Sequence, residues 1–116
     1  MRDFRNYEVW KLAISITIKI YALTEKLPDS EKFGMTSQIQ RASVSISSNI
    51  AEGCSRTSEK DFARFIEIAI GSSFEVESLL ELMYKLDFIR DKKLDEMLAA
   101  LHLLQRKLNS LHSRLR

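Results

Sequence analysis

Apolar residues recur at steps of three and four along almost the whole chain, a spacing that strongly favours helix. From Val9 they fall at Ala13, Ile16, Ile20, Leu23 and Leu27, which places them on one helical face. A second stripe runs Ile39, Ala42, Ile46 and Ile50. A third takes in Phe62, Phe65, Ile66, Ala69, Val76, Leu80 and Met83. The last, Met97, Leu101, Leu104, Leu108, Leu111 and Leu115, alternates fours and threes as a heptad seam does. Pro28 stops the first stripe, because its ring clashes with the preceding turn and it has no N–H to donate. Gly34 closes the connection "PDSEKFG". "EGCSRTS" is the second break, with Ser58 as N-cap and Asp61 placed to complete a capping box. Asp91 is the expected cap of the last helix. Helices are therefore predicted over about 7–27, 36–54, 59–86 and 92–114. With three Gly and one Pro in 116 residues, a β-rich domain is excluded. The expected fold is all-α: one domain over 1–116, an antiparallel up-down-up-down four-helix bundle.

Little in this pattern points to catalysis. A di-metal bundle needs Glu-x-x-His pairs on facing helices, and no acid here has a His three residues later. His102 and His112 lie ten apart on one helix and point in different directions. No Cys-x-x-Cys, His-Glu-x-x-His or glycine-rich phosphate loop is present, so neither metal nor cofactor is expected. Cys54, the lone cysteine, has no base beside it and suits a reducing compartment. The N-terminal "MRDFRNYEVW" is too charged for a signal peptide, and "LAISITIKIYAL" is too short to span a bilayer. A non-enzymatic cytoplasmic protein is expected.

The stretch "QIQRASVSISSNIAEG" keeps serine, asparagine and opposed charges in the middle of a helix. Gln38, Arg41, Ser45, Ser48, Asn49 and Glu52 share one side of it at about 100° per residue. Folding the second and third helices at "GCSRTS" pairs residues whose numbers sum to about 112. Glu52 then faces Lys60 and Arg64, and Arg41 faces Glu67, Gly71 and Glu75. Ser45, Gly71 and Ser72 are small enough for close backbone approach. The expectation is a charge-ordered polar seam that sets the register of this hairpin. The competing reading turns Gln38, Arg41 and Asn49 outward onto phosphate, which Glu52 in the same stripe opposes.

The first helix carries more apolar surface than one bundle face needs. Trp10, Ile14, Ile18 and Tyr21 form an adjoining face, and the fourth helix adds Leu94, Leu98 and Leu103. Burying one such side chain is worth roughly 1.5–3 kcal/mol, which favours self-association over leaving them wet. Net charge is only +2, but its distribution is uneven: residues 88–116 hold seven bases against three acids. Arg106, Lys107, Arg114 and Arg116 follow the last acid, Glu96, and are the candidate nucleic-acid contacts. A solvated basic helix end is the plain alternative.

"YEVWKLA", "LPDSEKFGMTSQIQRASVSISSNIAEG", "EKDFARFIEIAIGSSFEVESLL" and "KLDFI" together resemble the four-helix-bundle proteins encoded in intervening sequences of 23S ribosomal RNA genes. The resemblance covers nearly the whole chain. It implies a cytosolic bundle assembled as a ring of five copies. It also implies similarity to accessory proteins of diversity-generating retroelements, which engage nucleic acid and a reverse transcriptase. By position the signature residues are Gln38, Arg41, Ser45, Asn49, Glu52, Gly53, Phe65, Gly71, Ser72 and Glu75, with Arg64 beside them on the seam. Gln40 replaces a second Arg common in relatives, and Ser47 replaces a Pro, so a kink in that helix is not required. The expected function is that of a homo-oligomeric bundle associated with RNA, DNA or a ribonucleoprotein. The alternative is a protein-interaction scaffold with no nucleic-acid contact.

Overall fold

The structure, a computed structural model, describes residues 2–115. Four helices, α1 (Glu8–Thr24), α2 (Met35–Cys54), α3 (Glu59–Lys85) and α4 (Asp91–Ser113), form an antiparallel up-down-up-down bundle 43 Å long and 24 by 19 Å across. Consecutive helices pack on one another, and α4 closes the ring against α1. Short 3₁₀ turns at Phe4–Asn6 and Asp29–Glu31 precede α1 and α2. The predicted stripes form the core except at Phe65 and Leu115, which are half-buried: Ile20, Ile39, Ile46, Ile50, Ile66, Leu80, Leu101 and Leu104 are fully buried. Among the described residues, no helix is long and apolar enough to cross a membrane.

Helix ends follow local chemistry. Ser58 caps α3 as expected, its Oγ accepting from the Asp61 amide at 3.0 Å, without the reciprocal side-chain bond of a capping box. α1 ends at Thr24, three residues before the predicted limit, and Glu25 to Leu27 turn ahead of Pro28. Asp91 is the first residue of α4 rather than its cap, which is Arg90. α3 closes in a Schellman motif: the Phe88 amide donates to Met83 O at 2.8 Å and the Asp87 amide to Tyr84 O at 3.0 Å. Asp87 supplies the left-handed residue, with φ 64°.

The α2–α3 hairpin is displaced from the expected register. Ser45 Oγ meets Ser72 Oγ at 2.8 Å, so α3 sits about five residues further along than a sum of 112 requires. The cause lies at the turn, where the chain folds around Ser58 and Gly53 seats on Phe62 and Phe65. A Cβ on Gly53 would lie 2.8 Å from Phe65 Cβ and 2.9 Å from Phe62 Cδ1, so only glycine permits this approach. Gly71 was expected to serve the same purpose and does not. It is exposed, and a Cβ there would meet nothing within 4 Å.

The shifted register rewrites the polar seam. Ser45 and Asn49 are half-buried, with Asn49 Nδ2 donating to Ser45 O at 2.8 Å and Ser45 Oγ at 3.0 Å. Gln38, Arg41, Ser48 and Glu52 are exposed. Glu52 pairs with Arg56 on its own helix end at 3.1 Å, not with Lys60 or Arg64. Glu67 turns to His112 at 2.8 Å. Arg41 and Glu75 border one surface recess, with Gln38 and Ser45, but form no ion pair. Hydroxyls and amides hold the seam, not ordered charge.

The other serines of α2 serve the α1 side. Ser43 and Ser47 are buried and donate to carbonyls three residues back, Gln40 O at 2.9 Å and Val44 O at 3.3 Å. Thr17 Oγ1 reaches Ser43 O at 3.2 Å, and Gln40 Nε2 donates to Thr24 Oγ1 at 3.0 Å. Small hydroxyl residues that satisfy themselves locally let two helices approach without orphaned polar groups.

Candidate nucleic-acid interface

Antiparallel topology gathers the N-terminal segment, the α2–α3 turn and the C-terminus of α4 at one end of the rod. The half of the bundle containing these segments, residues 2–16, 45–72 and 102–115, carries nine bases against six acids. The opposite half carries eight bases against ten acids. A chain with almost no net charge is thus polarised along its long axis.

Of the four expected contacts, three are described. Arg106 is exposed and has no partner among the described residues. Lys107 is committed to Glu8 of α1 at 3.1 Å. Arg114 is exposed and donates weakly to Ser110 Oγ at 3.4 Å. Arg116 lies outside the described residues. The same end also holds Arg2, Arg5, Arg56, Lys60 and Arg64, which reading along the chain had not grouped with the tail. The signal was available in principle, because up-down topology places residue 2, the turn at 55–58 and residue 114 together.

Aromatic rings organise this pole. The N-terminal turn folds back over the bundle: Phe4 meets Trp10 edge-on at 5.0 Å and Tyr7 meets Phe62 at 5.9 Å and 88°. Arg2 then lies over the Phe62 ring at 4.4 Å, Arg56 over Phe65 at 4.7 Å, and Arg5 over Phe4 at 4.5 Å. Stacking of this kind orients a guanidinium without consuming its N–H donors; here Arg5 Nη1 is paired with Asp3 Oδ1 at 3.3 Å and Arg56 Nη2 with Glu52 Oε2 at 3.1 Å. Arg2 Nη1 also donates to Arg56 O at 2.6 Å, tying the N-terminal segment to the turn. Beneath them Cys54 is buried, and burial pushes its thiol up from the ordinary value while Arg2 pulls the other way. That is a packed thiol held protonated. Among the described residues, no group of three or more His, Cys, Asp or Glu could hold a metal ion.

The expected oligomer face divides in two. Trp10 is half-buried against Phe4 and the core, because the N-terminal turn supplies it with a cover. Ile14 is half-buried, whereas Ile18 and Tyr21 remain exposed at 64% and 43%. Tyr21 shares a surface groove with Val44 of α2 and Phe33 of the connecting loop, the latter 91% exposed. Of the surplus expected on α4, Leu94 belongs to the core and Leu98 packs against it, whereas Leu103 is half-buried outside that cluster.

The architecture defines an antiparallel four-helix bundle with a glycine-seated α2–α3 hairpin and one basic pole. The chain belongs to the 23S rRNA-intervening sequence protein family, whose profile matches residues 5–110. It is similar to the 1.70 Å crystal structure of a protein with unknown function from the S23 ribosomal protein family of Bacteroides thetaiotaomicron. The TM-score is 0.84 at 26% identity, over 90% of this chain and 95% of that one. Among proteins with curated descriptions, none matches the chain.

Proposed function

We propose that this protein is a non-enzymatic, homo-oligomeric bundle that associates with nucleic acid or a ribonucleoprotein through its basic pole. The single observation that carries this reading is the gathering of bases from three separate segments onto one end, while the other end is acidic on balance. Bases clustered this way release counterions on meeting phosphate, and several copies in one assembly would add their patches together. Fluorescence anisotropy of a labelled oligonucleotide, RNA and DNA, single- and double-stranded, tests it across several salt concentrations. Affinity should rise steeply as salt falls, and Arg106→Gln with Arg114→Gln should weaken it. No binding at low salt would reject the reading.

Self-association is supported by the exposed apolar side chains. Ile18, Tyr21, Phe33 and Val44 lie on the α1–α2 side, and Ile68, Phe74 and Leu82 lie on α3. Exposed apolar side chains on two different flanks suit a head-to-tail contact, and head-to-tail contacts form a ring when their rotation closes. The five-copy ring implied by the family resemblance is one such closure. The same surfaces favour the second reading, a protein-interaction scaffold, should oligonucleotides fail to bind.

A further inference from the structure

The geometry points to a phosphate-binding cleft between the N-terminal segment and the α2–α3 turn, lined by Arg2, Ser55, Arg56 and Thr57. It rests on the nucleic-acid reading above and names where a backbone phosphodiester sits. The cleft has a volume of about 520 Å³. At roughly 30 Å³ per water, that admits a phosphate together with part of its hydration shell.

The two guanidiniums are held in place before any ligand arrives. Arg2 is stacked on Phe62 and uses Nη1 on Arg56 O; Arg56 is stacked on Phe65 and uses Nη2 on Glu52. Each spends one nitrogen on its anchor, and a guanidinium carries five N–H donors, so a forked edge remains on both. Ser55 donates its hydroxyl hydrogen to Glu52 O at 2.6 Å, whereas the Thr57 hydroxyl makes no such bond and can donate to an oxyanion. Glu52 neutralises part of Arg56, and Glu59 and Asp61 open α3 nearby, so the cleft is not a strong field of one sign. It selects by geometry: two oriented forks and a hydroxyl can engage the several oxygens of an oxyanion such as phosphate, which a single-atom anion such as chloride cannot offer. Lys60 and Arg64, exposed on the first turns of α3, extend the track along which a strand would continue.

The test uses the full chain. Arg2→Gln with Arg56→Gln should lower oligonucleotide affinity about tenfold at low salt, the worth of one charge-assisted hydrogen bond. It should also reduce the slope of log affinity against log salt by about one. If the wild-type chain binds and this variant binds with the same affinity and slope, the cleft is overturned and the basic-pole function stands. Because the double variant could loosen the N-terminal segment, a second measurement uses the unmodified protein. Amide shifts of Ser55, Arg56, Thr57 and Ser58 are followed with inorganic phosphate against chloride at constant ionic strength. Shifts confined to these amides with phosphate support the cleft even if no oligonucleotide binds, in which case only the nucleic-acid function falls. No oligonucleotide binding and no phosphate-specific shift overturn both.

Discussion

Gly53 and Gly71 stand in neighbouring helices and carry opposite meanings. Gly53 is buried where α2 meets the first turns of α3, and any Cβ must displace Phe62 or the Cβ of Phe65. Gly53→Ala should therefore destabilise the fold by about 1–3 kcal/mol, the usual cost of overpacking a tight contact. Gly71 costs helix stability and gains no packing within the chain. Gly71→Ala should raise the stability of the chain by about 0.5–1 kcal/mol, read from urea midpoints on both variants. A gain or no change for Gly53→Ala, or a loss for Gly71→Ala, would contradict the assignment. Along the sequence Gly53 falls at the helix-ending break and close approach is expected of Gly71; only the observed register shows that Gly53 is the one packed against α3.

At the scale of elements, the α2–α3 contact depends on neutral groups and the α3–α4 contact on carboxylates. Because Arg41 and Glu75 border a recess without touching, Arg41→Ala and Glu75→Ala should add within about 0.5 kcal/mol in a double-mutant cycle. Coupling beyond that would restore the charge-ordered seam. Between α3 and α4, Glu77 accepts from Gln105 Nε2 at 3.0 Å and lies 3.1 Å from His102 Nε2. The bond from Gln105 chiefly holds its carboxyl below the ordinary value, burial opposes this, and His102 adds to the lowering. A carboxylate lowered on folding stabilises the protein above its unfolded value of about 4.3. That contribution is lost as pH falls through the lowered value. Glu77→Gln should cost about 1 kcal/mol at neutral pH, with the gap to wild type closing in acid, as thermal melts across pH would report. A gap independent of pH would mean that the carboxylate's charge plays no part.

Across the whole molecule, exposed apolar surface and segregated charge decide what the bundle can meet. Tyr21→Lys with Val44→Lys places two charges in the groove that Phe33 overhangs, and leaves the core stripes of α1 and α2 intact. Sedimentation at micromolar loading should show the wild-type chain as an assembly and this variant shifted toward the 13.4 kDa monomer. A wild-type chain already monomeric would remove both the ring and the pooled positive field. Helical content should be the same in both, since neither position is buried.

The periodicity of Val9 to Leu27, Ile39 to Ile50, Phe62 to Met83 and Met97 to Leu111 was enough to place four helices and most of their core, because a helical face repeats every few residues and needs no distant partner to be seen. Pro28 and Ser58 marked two boundaries for the same reason, through their own backbone chemistry. Only the tertiary structure decided that Ser45 meets Ser72, that Trp10 is covered from within by Phe4, and that Arg2 and Arg56 share a cleft. Those facts depend on where a turn folds and which ring a glycine admits, and such long-range packing leaves no period in the chain.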